Sequence, residues 1–304
     1  MHLELHDFNT GKLIKTLTNG TWIVQRIVDV DEINSIVYFI ANRETPLEIH
    51  LYSINYNDEI PTIDRITQES GCHVVHCFNQ AYQYCITQWN SIDQCLLIRM
   101  LDLKIKEIIK NLDHLQQGLL QTIEQFHFVT PKLFSILNRN NDTLYCALYK
   151  SDNEQGIYQT PYPTLVSVYG GTHLQRHENN IYIYCKQPKS FLFFSVTNSW
   201  SLQTDMRCQR LVESGYVVLC LDNRGRANRD AAFESSIKHD MGHLEFNDQI
   251  DGVLYLLKQG ITDNTRVSIY GWSYGGYMSA MALVRTNNIF QLGITGAPIT
   301  HWDG

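Results

Sequence analysis

The stretch 266–285, Arg-Val-Ser-Ile-Tyr-Gly-Trp-Ser-Tyr-Gly-Gly-Tyr-Met-Ser-Ala-Met-Ala-Leu-Val-Arg, decides the fold. Its first five residues have the pattern of a buried strand, and the small residues that end it are typical of a tightly packed helix. Between them, Gly-Trp-Ser-Tyr-Gly at 271–275 has the G-x-S-x-G spacing of a sharp strand-to-helix turn. Such a turn projects a serine hydroxyl clear of the sheet, so the spacing predicts Ser273 as a nucleophile.

Acyl-transfer chemistry at such a serine needs hydrogen-bond donors for the oxygen that becomes negative. The N-terminus of the following helix supplies N–H groups and a partial positive charge, and one such donor contributes about 2.7–4 kcal/mol. A second donor is expected from the loop after an earlier strand. Val-Tyr-Gly-Gly at 168–171 ends such a strand, and the Tyr169 hydroxyl is suitable. Taken alone, Tyr169 is an ordinary half-buried aromatic; its pairing with Ser273 indicates a role.

A general base for Ser273 is harder to find. In chains with this motif the order is Ser, then Asp or Glu, then His. The sole histidine after Ser273 is His301, which lies just after a strand predicted at 292–296 and comes too early for that role. We therefore expect His301 to be non-catalytic. Without a base the serine hydroxyl stays protonated and reacts poorly.

Strands and helices alternate from about residue 131. Strands are predicted at 164–169, 216–222, 266–270 and 292–296, and helices at 204–213, 244–259 and 274–284. The strands are apolar on both faces, which is typical of a mostly parallel sheet covered on both sides. This part, 131–304, is predicted to be one domain.

Residues 1–130 are instead rich in short strands separated by polar turns. A loose repeat pairs 3–7 with 12–17, 49–53 with 64–67, and 97–102 with 105–109. Its period of about 45–50 residues is that of a four-stranded propeller blade. Only two to three blades fit, and a propeller needs about four to eight, so a partial propeller is predicted. A β-sandwich with an accidental period is the alternative.

Composition excludes several classes of protein. The 304 residues carry a formal charge of −7 and are 44% hydrophobic, so neither disorder nor nucleic-acid binding is expected. No apolar run approaches the ~20 residues of a membrane span. The start of the chain at Met1 lacks the basic and apolar regions of a signal peptide.

The eight cysteines are spread along the chain, which favours reduced thiols and a cytoplasmic location. Possible glycosylation sites at Asn19 and Asn141 favour secretion instead. Cys-His-Val-Val-His-Cys at 72–77 resembles a metal motif, but on a strand its ligands would alternate faces. No metal site and no cofactor are therefore expected.

Residues 176–195 interrupt the alternation with a polar and then aromatic stretch. The stretch is either a genuine lobe or translated non-coding sequence, and the sequence alone does not separate these two readings.

Several motifs together resemble the dipeptidyl peptidase IV family of the prolyl oligopeptidase superfamily. The matching segments are Gly-Trp-Ser-Tyr-Gly-Gly-Tyr at 271–277, Leu-Asp-Asn-Arg-Gly at 221–225, Thr-Gly-Ala-Pro at 295–298, Met-Gly-His-Leu-Glu at 241–245, Asp-Gln at 248–249, Val-Tyr-Gly-Gly at 168–171 and Pro-Leu-Glu-Ile-His-Leu-Tyr-Ser at 46–53. The resemblance covers nearly the whole chain apart from 176–195. It implies late blades of a β-propeller followed by the first half of an α/β-hydrolase domain, truncated at both ends.

The resemblance also implies cleavage of X-Pro or X-Ala dipeptides from peptide N-termini, with peptides as partners and a homodimeric full-length parent. Ser273 matches the nucleophile, and Tyr169 and the Tyr274 backbone N–H match the oxyanion hole. The substrate-binding positions implied are Trp272, Ile299 and Trp302. No convincing match exists to the acidic pair that holds the substrate amino group, and the catalytic Asp and His would lie beyond Gly304.

These features together predict that the chain is a fragment of a serine dipeptidyl peptidase and is inactive by itself. The alternative is a non-catalytic interaction protein, or an inactive fragment, that keeps the surfaces of the family. A related oligopeptidase or esterase is a third possibility. The strand 292–296 is also expected to form an unprotected apolar edge that promotes aggregation.

Overall fold

The computed structural model describes residues 2–79, 81–112, 128–151, 160–171, 196–199, 202–286 and 288–301. The chain divides into two units. The first comprises Met1–Phe128 with Thr197–Trp200 and Asn228–Ala231, and the second comprises Val129–Val196, Ser201–Ala227 and Ala232–Gly304. The interrupting stretch 176–195 lies outside the described residues, as does Trp302.

The first unit contains only antiparallel sheets in its described part. Its strands are β1 (Glu4–His6), β2 (Leu13–Thr16), β3 (Val24–Asp31), β4 (Ile36–Ala41), β5 (His50–Asn55), β6 (Ile63–Arg65), β7 (Cys72–Phe78), β8 (Tyr84–Ser91), β9 (Gln94–Asp102) and β10 (Ile108–Asn111). β3 to β6 form one four-stranded sheet, β7 to β10 form another, and β1 pairs with β2 alone.

Each four-stranded sheet is a meander in which neighbours in sequence are neighbours in space. The repeat read from the sequence corresponds to the last two strands of each meander, β5–β6 and β9–β10, with β1–β2 as a third such pair. Two four-stranded blades and one further strand pair are the partial propeller that the sequence predicts. β4 is almost wholly buried, and its Phe39 packs on Tyr52 of β5.

The second unit is built on a six-stranded sheet. Its elements are β11 (Lys132–Leu137), β12 (Thr143–Tyr149), β13 (Tyr162–Val168), α1 (Leu202–Glu213), β14 (Val217–Asp222), α2 (Ala231–Ser235), α3 (Leu244–Lys258), β15 (Thr262–Trp272), α4 (Tyr274–Arg285) and β16 (Leu292–Gly296). The strand order is β11-β12-β14-β13-β15-β16.

This sheet is mixed. β14, β13, β15 and β16 are parallel, as the alternation of strands and helices predicts, whereas β11 and β12 add an antiparallel hairpin at one edge. The sequence analysis did not predict the two strands of this hairpin. Val166, Leu219 and Ile269 lie side by side on the face that carries Val253 of α3 and Met278 of α4, and all of them are fully buried. The parallel register brings the carboxyl ends of β13 and β15 to the same edge of the sheet.

The segment that resembles a metal motif lies on β7. His73 is buried, whereas Cys77 and His76 are exposed, so the side chains do not converge. In the described part of the chain no cluster of three or more His, Cys, Asp or Glu side chains could hold a metal ion. No described helix is long and apolar enough to cross a membrane.

His73 and His50 form a buried contact between β7 and β5, with ring centroids 5.1 Å apart. His73 Nε2 bonds the Glu69 carbonyl oxygen at 2.8 Å, and His50 bonds Thr67 and Glu48. Burial lowers the pKa of His73 to about 3 and also lowers the pKa of His50. Both rings are therefore neutral in the folded unit near pH 7.

We predict that acidification destabilises the first unit through this histidine pair. The ordinary pKa of 6.5 applies in the unfolded chain, so the unfolded state binds protons first. Above about pH 6.5 the two histidines are neutral in both states and cost no stability. Below that pH the unfolded chain binds protons that the buried rings do not, so the free energy of unfolding falls progressively towards pH 3. Urea midpoints followed by tryptophan fluorescence should decrease between pH 7.5 and pH 5, and His73→Gln should reduce that decrease. His76→Gln, an exposed change on the same strand, is the control and should leave it unaltered.

We also predict that the edge strand β16 limits the solubility of the 304-residue chain. Leu292 and Ile294 are 56% and 48% exposed there, and unpaired apolar edges promote strand pairing between molecules. The double variant Leu292→Lys, Ile294→Lys should raise the monomeric fraction measured by size-exclusion chromatography with light scattering. Ile33→Lys, at a residue that is 92% exposed in the β3–β4 turn, is the control. A monodisperse wild-type chain with a cooperative melt would contradict this prediction.

Candidate active site

Ser273 lies between β15 and α4 and has φ 58° and ψ −116°. A non-glycine residue rarely adopts this conformation, and holding it costs about 1–3 kcal/mol. The Ser273 N–H donates to the Gly296 carbonyl at 2.9 Å, and the Ser273 carbonyl accepts from the Tyr277 N–H at 3.1 Å. The sharp turn predicted from the spacing is thus confirmed. The adjoining strand β16 holds it in place.

The two glycines that flank the serine pack against the end of β13. A Cβ at Gly271 would lie 2.5 Å from the Val168 carbonyl oxygen and would also overlap the backbone of Gly275. A Cβ at Gly275 would overlap the same Val168 oxygen and approach Tyr169 Cα to 3.0 Å. These are all backbone atoms, and they cannot move aside as the end of a side chain could. Close packing of β13 against the turn therefore requires glycine at both positions.

Tyr169 follows directly on β13, in a loop held by buried polar side chains. Asn223 Nδ2 donates to the Gly170 carbonyl at 3.0 Å, and Gln249 Nε2 donates to Asn223 Oδ1 at 2.9 Å. The Tyr169 and Tyr274 rings are 6.4 Å apart between centroids. The structure therefore brings both tyrosines predicted for the oxyanion hole to the edge of the sheet where Ser273 lies.

Glu245, in the first turn of α3, is a buried residue to which the sequence reading assigned no role. Its Oε1 accepts hydrogen bonds from the Tyr274 hydroxyl and from the Gly242 N–H. The pKa of Tyr274 is raised well above its usual range. Burial is the larger cause, and the hydrogen bond to the Glu245 carboxylate is the next largest. Tyr274 is therefore fixed as a neutral phenol beside Ser273. The available signal was an acidic residue in the segment 241–245, one of the segments on which the resemblance rests.

A second buried polar group ties α3 to the loop after β14. Asp248 accepts from Arg224 Nη2 at 2.8 Å and from the Arg224 backbone N–H at 2.8 Å, and Asn138 Nδ2 donates to it at 2.9 Å. Burial raises the pKa of Asp248, and the bonds from Arg224 oppose that rise. Asn223 belongs to the same loop, so this ion pair also positions the residue that holds Gly170.

The residues predicted for substrate binding lie near this edge where they are described. Trp272 is 59% exposed, and its ring covers Gly296. Ile299 is half-buried and packs against the core of the second unit. Pro298 approaches the first turn of α4 at Gly276. Trp302 lies outside the described residues, and His301 is exposed.

The chain combines a serine on a strained strand-to-helix turn, a mostly parallel sheet and preceding blade-like sheets, which is the arrangement expected of the prolyl oligopeptidase class. Residues 200–304 match the model of the prolyl oligopeptidase family, and residues 1–95 match the model of the dipeptidyl peptidase IV N-terminal region. Both matched parts of the chain are therefore similar to the dipeptidyl peptidase IV family.

Individual relatives agree with that assignment. The chain is 32% identical over 298 residues to dipeptidyl peptidase 8 of Mus musculus, covering 94% of this chain and 30% of that protein. It is 26% identical over 304 residues to probable dipeptidyl peptidase 4 of Trichophyton verrucosum, covering 98% and 37%. The crystal structure of Porphyromonas gingivalis dipeptidyl peptidase 4 superposes with a TM-score of 0.81 at 24% identity, covering 99% and 38%. The chain thus spans about a third of the length of these relatives.

We predict that Gly275→Ala destabilises the second unit, although alanine in a helix is ordinarily favoured over glycine by about 1 kcal/mol. The added methyl would overlap the Val168 carbonyl oxygen, and overpacking of this kind costs roughly 1–3 kcal/mol. The free energy of unfolding from urea titration measures the change. Gly252→Ala in α3 is the matched control, because there the methyl meets the side-chain ends of Leu221 and Leu219 and no backbone atom. An equal effect at both positions would contradict the prediction.

Proposed function

We propose that the protein containing this chain is a serine dipeptidyl peptidase that releases X-Pro or X-Ala dipeptides from peptide N-termini. The observation that carries the proposal is the position of Ser273: a strained turn at the head of α4, at the same sheet edge as Tyr169 and Tyr274. The relatives named as dipeptidyl peptidases support the substrate class.

In the proposed reaction, Ser273 Oγ attacks the carbonyl carbon of the second residue of the peptide, and a general base takes the hydroxyl proton. The carbonyl oxygen becomes negative and receives hydrogen bonds from the Tyr169 hydroxyl and the Tyr274 N–H, worth about 2.7–4 kcal/mol per donor. The C–N bond then breaks, and the leaving amine takes the proton. Water hydrolyses the acyl-serine and releases the dipeptide.

The specificity for proline or alanine follows from size and apolarity in this proposal. Trp272, Ile299 and Trp302 would surround the second residue of the substrate. The general base and its partner carboxylate would come from parts of the protein outside this chain, which spans about a third of its relatives. By itself the 304-residue chain should therefore show no turnover.

The proposal extends to compartment and assembly. The thiols of Cys72 and Cys85 are buried, and burial raises the pKa of each to about 12, as expected for inert reduced cysteines. They support a cytoplasmic protein. A homodimer of the full-length protein is also proposed, and light scattering of that protein would measure it.

We predict that Ser273→Ala in the full-length protein lowers kcat for a chromogenic Gly-Pro amide by about 10⁶-fold, since it removes the nucleophile. Tyr169→Phe should lower kcat by about 10²–10³-fold through loss of one donor. Ser279→Ala, a buried serine further along α4, is the control and should keep its activity.

A fluorescent phosphonate that labels activated serines separates an enzyme from a non-catalytic interaction protein. Labelling of the wild type but not of Ser273→Ala supports the enzyme, whereas no labelling of a folded wild type supports the interaction protein. Faster turnover of a simple ester than of the Gly-Pro amide would point instead to an esterase.

A further inference from the structure

The loop after β14 contains a buried arginine, Arg226, that takes no direct part in the proposed reaction. Arg226 is 1% exposed and is among the largest side chains that are fully buried. Burying a guanidinium removes it from water at a high cost, and burial indeed lowers the pKa of Arg226 from its usual value. A charged group is retained in such a place only where its surroundings compensate for that cost.

A carboxylate and an aromatic ring lie beside the charge. Arg226 Nε lies 3.4 Å from Asp222 Oδ1, and the guanidinium carbon lies 5.5 Å from the centroid of the Tyr169 ring. The other carboxylate oxygen of Asp222 accepts the Val196 N–H at 2.7 Å, which fixes the carboxylate. Arg226 thus connects an anchored carboxylate on β14 to the aromatic ring that follows β13.

Tyr169 is the residue whose hydroxyl must be placed most accurately. The loop that carries it contains Gly170 and Gly171 and has little stiffness of its own, since Gly170 has a φ of 78°. The Tyr169 ring meets the Tyr274 ring at 6.4 Å and the Arg226 guanidinium at 5.5 Å. A cation within about 6 Å of an aromatic centroid is attracted by the ring, more strongly when both are out of water.

We propose that Arg226 is a positioning residue for the oxyanion hole: it holds the Tyr169 ring, and hence its hydroxyl, in place to donate to the carbonyl oxygen that becomes negative. Asp222 keeps the guanidinium over the ring. The inference rests on the proposed function, because it assigns Arg226 a role only in a reaction at Ser273.

The test uses the full-length protein with the variants Arg226→Gln, Arg226→Lys and Tyr169→Phe. Arg226→Gln should lower kcat for the Gly-Pro amide about 2- to 30-fold, the range expected for loss of one cation–π contact, with little change in KM. Arg226→Lys, which keeps the charge, should recover most of the lost kcat. Arg139→Gln breaks an ion pair with Asp251 elsewhere in the second unit and is the matched control.

A double-mutant cycle distinguishes positioning from a general structural role. If Arg226 acts through the Tyr169 hydroxyl, Arg226→Gln should cost little further kcat when Tyr169 is already phenylalanine. Equal losses in both backgrounds, or Arg226→Lys no better than Arg226→Gln, would overturn the inference. If Arg226→Gln does not fold, Asp222→Asn, which removes the carboxylate that keeps the guanidinium over the ring, takes its place in the cycle, and additive losses there count against the inference.

The rate of phosphonate labelling at Ser273 gives a readout that does not depend on the peptide chosen, since the phosphoryl oxygen occupies the same hole. Slower labelling of Arg226→Gln supports the inference. Normal labelling of this variant, in a protein whose wild type is labelled, overturns the inference alone. A folded wild type that neither turns over the amide nor reacts with the phosphonate overturns the proposed function and this inference with it.

Discussion

The structure of the candidate site depends on one constraint: the backbone at Ser273 must stay in a conformation that it would not adopt alone. Strain of this kind persists only where surrounding structure over-determines it. Here the Gly296 carbonyl holds the Ser273 N–H, and Gly275 lies against the Val168 carbonyl. Both contacts come from strands in parallel register with β15. The rigid sheet therefore supplies the free energy that keeps the serine in this conformation.

Buried polar side chains hold the two tyrosines in fixed positions relative to the sheet. Glu245 holds the Tyr274 hydroxyl, and Asn223 holds the loop that begins with Tyr169. Buried polar groups are costly unless they are hydrogen-bonded, so such a network tolerates few alternative arrangements. The positions of the two tyrosines relative to Ser273 follow from these side chains as much as from the sheet itself.

Similarity to known proteins indicates the fold, whereas the residues of the site indicate the chemistry. A TM-score of 0.81 at 24% identity shows a shared fold, and folds host many functions. The function is argued from the chemistry gathered at one sheet edge: a strained serine, two tyrosines and the helix N-terminus between them. The blades of the first unit add a second, independent match to the family, over residues 1–95.

The sequence by itself determined the elements and the turn, because periodicity and glycine spacing are local properties. The strand predicted at 292–296 is β16, the helix predicted at 274–284 is α4, and the repeat marked the strand pairs β5–β6 and β9–β10. Only the tertiary structure decided that the β11–β12 hairpin extends the sheet, and which buried charges meet. The sequence places Glu245 in a predicted helix and Arg226 shortly after a predicted strand, but it does not show that Tyr274 or Tyr169 lies beside them. Those contacts arise from the packing of elements far apart in sequence, where local pattern carries no information about distance.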